Sequence, residues 1–237
     1  MATTAIFNRP VPRTPIANKA ATTGRPAELK RAEQPRAQET RSSILHAALL
    51  EFAEKGYDAA SVRSIAERIG LQHPLITYHY RSKEVLWQAV AELGFAHMRA
   101  EWDAHLADSG AVSSEERLKL AYGALFRFTV KFPEFDRLMR WEMLGSSSRL
   151  QWLVDTVLKP LIDWLLPQIS DAQARGALPE VEPILFHYLM MSLTSSLASF
   201  RPELTVTSKL SPSDPTVVDA YWRAVESMIF ERVKVLK

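Results

Sequence analysis

The chain has 237 residues, enough for one or two domains. Only 8 glycines and no cysteine occur, which argues against turn-rich β folds and glycine-loop nucleotide sites. It also excludes disulfides, Cys-ligated zinc, iron–sulfur centres and thiol nucleophiles. The 29 Lys+Arg and 27 Asp+Glu leave a net charge of +2, which by itself points to no polyanionic partner.

The charge is unevenly placed. Residues 1–38 carry seven basic and two acidic side chains, residues 39–90 six of each, and residues 91–237 sixteen basic and nineteen acidic. The first 38 residues also hold five of the fourteen prolines and no hydrophobic period, and read as a disordered basic tail. No apolar stretch of ~7–15 residues follows a basic start, so this is not a secretory signal. An organelle transit peptide over residues 1–27 is a second reading, opposed by four helix-breaking prolines.

Helical periods follow in order. Ile44, Leu45, Ala48, Leu49 and Phe52 lie on one face of a helix starting near Glu39 and capped at Gly56. Ser61 is a good N-cap for a short helix burying Val62, Ile65, Ala66 and Ile69 and ending at Gly70. A third element runs from about His73 to Tyr80, with Pro74 in its first turn. Ser82 caps a helix to about Leu106, weakened in the middle by Gly94. Leu118, Ala121, Tyr122, Leu125, Phe128 and Phe132 form a stripe stopped by Pro133. A short helix over 134–144 ends at Gly145, and a helix over 149–175 is kinked at Pro160 and Pro167. Pro183 to Phe200 contains no charged side chain but is too polar and short for a lone membrane span, and reads as a buried helix. A polar loop with Pro202, Pro212 and Pro215 leads to a final helix over 216–236. The expected fold is all-α.

Residues 61–80 follow a helix-turn-helix plan. The second helix would offer Gln72, His73, Leu75, Thr77 and His79 to a major groove. Gln suits adenine in bidentate fashion, and Leu75 or the Thr77 methyl suits a thymine methyl. Arg63, Tyr78 and Lys83 are phosphate candidates, Lys83 because it begins a helix. Tyr80 reads as core and Arg68 as part of a solvated face.

Phe52-Gly56-Tyr57, Val62-x-x-Ile65-Ala66, Gly70 and Tyr78-His79-Tyr80-x-Ser82-Lys83-Glu84-x-Leu86 resemble the DNA-binding domain of the TetR family of transcriptional repressors. The resemblance covers about fifty residues. The remainder is similar only in being helical and ending in two long apolar helices. The chain departs from the family where Ser-Lys-Gly/Ala-Thr is usual: it has Gln72-His73-Pro74-Leu75, with Thr77 where Tyr is frequent.

After the basic tail over 1–38, the resemblance implies a DNA-binding domain over 39–85 and an effector-binding and dimerisation domain over 86–237. It further implies a cytoplasmic homodimer on double-stranded palindromic DNA, released by a small apolar or aromatic effector. Tyr122, Phe126, Trp141, Trp152 and Phe186 are candidate effector contacts. In the uncharged helix Phe186, Met190, Leu193, Leu197 and Phe200 form one seam, and small hydroxylated residues another. Ser192, Ser196 and Ser199 with Tyr221, Trp222, Val225, Met228 and Ile229 are candidates for the dimer interface; closing a monomer core is their other reading.

No cofactor or metal is expected, and no catalytic motif occurs. His97, Glu101 and His105 share a helical face but drift by ~80° over eight residues, as a solvated face does. The alternative function is a helical adaptor whose helix-turn-helix reads no DNA.

Overall fold

The computed structural model describes residues 27–107 and 113–231, and every regular element among them is a helix. The chain divides into two compact units between Ala96 and His97, later than the boundary expected at 85.

The first unit contains α1 (Ala27–Ala59), α2 (Val62–Arg68), α3 (His73–His79) and the start of α4 (Lys83–Ala107). Ile44, Ala48 and Phe52 recur every four residues along α1 and are fully buried. The helix is interrupted at Gly56, whose φ of 73° would strain any residue with a Cβ. Ser61 caps α2, its Oγ accepting from Ser64 N–H at 3.0 Å. Gly70, at φ 66°, turns the chain, and Leu71 N–H closes back on the Ala66 carbonyl. Ser82 Oγ accepts from Val85 N–H at 3.1 Å and caps α4. The core joins Ile65, Ala66 and Ile76 to Leu86, Trp87 and Val90.

One expectation for this unit is corrected. Residues 27–38 belong to α1 and not to a disordered tail. The segment AELKRAEQPRAQ is composed mainly of strong helix formers, a propensity that its charge and Pro35 obscure. The rest of the expected tail, residues 1–26, lies outside the described residues.

The second unit contains the end of α4 and seven further helices. These are α5 (Ser114–Lys131), α6 (Pro133–Met143), α7 (Ser148–Leu153), α8 (Lys159–Ala174), α9 (Pro183–Ser199), α10 (Arg201–Ser208) and α11 (Pro215–Ile229). A π-helical turn, Val154–Leu158, joins α7 to α8. It precedes Pro160, where a kink was expected; Pro167 sits inside an unbroken α8. The polar loop after residue 200 instead holds α10, and the last helix stops at Ile229, where Phe230 N–H meets Glu226 O. Residues 232–237 lie outside the described residues. No helix among the described residues is long and apolar enough to cross a membrane.

Leu118, Tyr122, Leu165, Ile169, Phe186, Met190 and Val225 anchor the second core. Polar ties cross it. Thr129 Oγ1 donates to Thr194 O at 2.7 Å, joining α5 to α9, and Tyr221 OH donates to Leu193 O at 2.7 Å, joining α11 to α9. Tyr122 OH lies 3.1 Å from His187 Nδ1 with both residues buried. Burial raises the Tyr122 pKa and lowers that of His187 to about 4, so both are neutral at pH 7.

Trp222 packs against Gly123, where an added Cβ would stand 3.0 Å from the indole ring. Gly123→Leu overpacks this crossing of α5 and α11 and should cost roughly 2 kcal/mol in chemical denaturation.

Two buried groups tilt the pH dependence in opposite directions. His187 is depressed from 6.5 to about 4, so its contribution is present above pH 6.5 and is lost as pH falls through 4. Asp136 is raised by burial from 3.8 to about 6, with Arg140 and Arg137 opposing, so its burial becomes less costly as pH falls through 6. Each effect is on the order of 3 kcal/mol. Against wild type, Asp136→Asn should lose stability more steeply from pH 7 to 4.5 and His187→Gln less steeply, read from denaturation midpoints.

Candidate nucleic-acid interface

Helix α3 is held from one side only. Ile76 and Tyr80 point inward, four residues apart, and are buried. Pro74, Leu75, Thr77 and Tyr78 face outward, with Tyr78 82% exposed. Gln72 and His73 are exposed at its head. An open hollow of about 510 Å³ between α2 and the start of α3 is lined by Arg63, Glu67, Gln72 and His73, together with Ala66 and Leu71.

Three predicted contacts are placed differently from one another. Arg63 is exposed and pairs with Glu67 at 3.0 Å across one turn of α2. His79 is half-buried between the rings of Tyr78 and Tyr80. Burial, then the charge of Arg41, lowers its pKa. Lys83, expected at a phosphate, is engaged within its own unit. Its Nζ donates to the carbonyls of Tyr57 (2.9 Å), Ala60 (3.1 Å) and Asp58 (3.4 Å) and lies 4.3 Å over the Tyr57 ring. An ammonium has three donors, and all three are used at the end of α1.

What fixes this geometry is a group absent from the sequence expectations. Glu51 on α1 is a fully buried carboxylate. It accepts from Lys55 Nζ at 2.7 Å and from Arg68 Nε at 2.7 Å. Burial pushes its pKa up, but the hydrogen bonds from Lys55 and Arg68 outweigh this and hold it below the ordinary value. Arg68 also binds Glu54, so this is no solvated face: the guanidinium clamps α2 to α1. The sequence signal was faint, since three charges three or four residues apart also describe an exposed face.

A profile described as "Bacterial regulatory proteins, tetR family" matches residues 44–90, spanning the end of α1 to the start of α4. The chain is 39% identical over 171 residues to the HTH-type transcriptional regulator UidR of Escherichia coli K12, covering 68% of this chain and 81% of the relative. The chain belongs to the TetR family. It is a helix-turn-helix DNA-binding transcriptional regulator. A second TetR-type relative, the HTH-type transcriptional regulator RutR of Escherichia coli K12, is 25% identical over 198 residues, covering 82% of this chain and 90% of the relative. Among solved structures, transcriptional regulator SCO4942 from Streptomyces coelicolor superposes with a TM-score of 0.60 at 26% identity, covering 80% of this chain and 98% of that one.

The residues expected at an effector and those expected at a dimer interface lie as follows in the helical unit. Tyr122 and Phe186 meet edge to face at 6.4 Å in the core. Phe126 stacks on Tyr221 (5.3 Å) and Trp222 (5.4 Å). Trp141, exposed on α6, and Trp152, half-buried on α7, lie outside the core cluster. Of the dimer candidates, Val225 and Ile229 are corrected: they seal their own unit's core. Tyr221 and Trp222 pack against the same core, and Ser196 and Ser199 are half-buried. Only Ser192 and Met228 are fully on the surface. Sequence reading missed the exposed apolar residues of α9, Leu185, Tyr188 and Leu189. A regular stripe cannot by itself distinguish core from interface.

Of the residues weighed for metal, Glu101 pairs with Lys131 at 3.3 Å and His105 Nδ1 meets the Glu101 carbonyl.

Arg68→Met leaves the Glu51 charge buried with Lys55 alone and should destabilise the first unit by about 3 kcal/mol, measured by chemical denaturation. Lys83→Met should cost about 1–2 kcal/mol of stability and leave the salt dependence of DNA binding unchanged. Arg63→Ala should do the reverse, lowering the slope of log K against log salt by about one.

Proposed function

We propose that the chain is a homodimeric repressor that occupies a palindromic operator and leaves it when a small, largely apolar or aromatic effector binds the helical unit. The free face of α3 supports this reading most directly. That helix carries no carboxylate to repel phosphate, and its outward residues have few partners inside the protein. On this reading Gln72, His73, Leu75 and Thr77 face base edges, and Arg63 and Tyr78 the backbone. His79, turned half inward, supports the helix and does not read a base.

Two-fold symmetry in the protein matches two-fold symmetry in the DNA. The surface for it is the exposed apolar row Leu185, Tyr188 and Leu189 with Ser192 on α9, and Met228 on α11. The regulator works in the cytoplasm, without a cofactor and without catalysis of its own. An effector that favours the dimer geometry unfit for DNA releases it.

The experiment is selection of binding sites from a randomised duplex pool at stated salt, followed by gel shift. The expected product is an inverted repeat bound by two chains. Recovery of no preferred sequence would instead support the adaptor reading. Leu185→Glu with Leu189→Glu should yield a monomer by analytical ultracentrifugation, with at least about tenfold weaker operator binding.

A further inference from the structure

Most cations of the first unit are already engaged within it. Lys55 and Arg68 hold Glu51, Arg63 pairs with Glu67, and Lys83 gathers backbone carbonyls. Arg41, exposed on α1, is different. Its neighbours one turn away along the helix are Ala37, Gln38, Ile44 and Leu45, none of them an acid. Glu39, two residues earlier, projects about 200° away around the helix and lines a separate hollow with Thr40, Ser43, Ile69 and Leu71. Among the described residues no carboxylate pairs with Arg41.

What Arg41 does meet is the tail of α3. Its guanidinium carbon lies 5.8 Å from the centre of the Tyr80 ring. Tyr80 is buried, so the ring is a fixed support for the charge. The field of Arg41 also reaches His79, whose protonation it disfavours. A ring attracts a cation without cancelling its charge, and it leaves most of the five N–H donors open. Arg41 is thus held in place with its fork available, and a planar fork suits a phosphate. Helix α3 has seven residues, about 10 Å along its axis. Arg63 lies by its head, beside Gln72 and His73. A helix pinned at one end only can still swing, whereas backbone contacts at both ends fix its register.

We propose that Arg41 binds a DNA phosphate at the tail of α3, pinning the recognition helix at the end opposite Arg63. This rests on the outward face of α3 meeting DNA. The contact carries no sequence information; it sets the strength and register of docking, while the outward residues of α3 read the bases.

The test titrates the full chain into two duplexes of equal length, the inverted repeat recovered from the pool and one of unrelated sequence, between about 50 and 200 mM salt. Arg41→Gln should lower the slope of log K against log salt by about one for each chain bound, on both duplexes. It should weaken binding at least about tenfold at the lowest salt and leave the ratio between the two duplexes unchanged. Arg41→Lys, which keeps the charge, should keep the slope. Replacing single phosphates by neutral methylphosphonates locates the contact. At one position in each half-site the replacement should weaken binding of the wild type and weaken Arg41→Gln no further. A wild-type slope in a folded Arg41→Gln overturns the proposal, because Arg41 then only braces Tyr80. So does a scan in which no phosphate is coupled to Arg41. Should Arg41→Gln fail to fold, Arg41→Lys decides, since lysine lacks the planar fork: wild-type penalties at every methylphosphonate overturn the proposal. If the pool yields no preferred sequence but Arg41→Gln still lowers the slope on the unrelated duplex, the phosphate contact stands and the reading of bases by α3 falls.

Discussion

The recognition unit depends on a carboxylate that never meets water. Stripping Glu51 of solvent costs several kcal/mol unless other charges replace the lost hydration. Lys55, one turn along α1, and Arg68, arriving from α2, do so. Because Arg68 is an inflexible fork shared with Glu54, it sets the rotation of α2 as well as its position. The turn at Gly70 and the inward residues of α3 inherit that setting. A few charged side chains inside the first unit thus determine which uncharged side chains of α3 are shown outside.

Lys83 plays a parallel part at the other end of the unit. The carbonyls following Gly56 have no helical partners, and its ammonium gathers three of them while lying over Tyr57. Basic residues in a DNA-binding domain therefore divide between those that build it and those that can meet phosphate. Arg68 and Lys83 build; Arg63 and Arg81 remain exposed. Counting charge along the sequence merges the two groups.

The helix-turn-helix was legible because each of its parts has a local cause. Ser61 and Ser82 cap, Gly56 and Gly70 adopt positive φ, and Ile65, Ala66 and Ile76 repeat at helical spacing. The structural contacts of Lys83 and Arg68 are not legible in sequence because their partners lie 14 to 26 residues away, beyond any periodic pattern. The apolar stripes of α9 and α11 were found, but which stripe faces inward depends on where neighbouring helices lie. Val225 and Ile229 face the core, whereas Leu185 and Leu189 are exposed. Helix α10 was hidden by Pro202, which is harmless in a first turn.

The π turn before Pro160 bears on how this chain can vary. Lys159 N–H reaches back five residues to Val154 O, so the turn holds one residue more than an α-helical turn would. Deleting one residue from Val154–Leu158 would restore ordinary helix and leave both flanks facing nearly as before, because four α-helical residues turn the chain by about 400°, almost as far as the five residues of the π turn. Leu165, Ile169 and Ala172 would keep their faces toward the core. A single-residue deletion is therefore absorbed here, whereas within the regular stretch of α8 it would turn one flank by about 100° against the other.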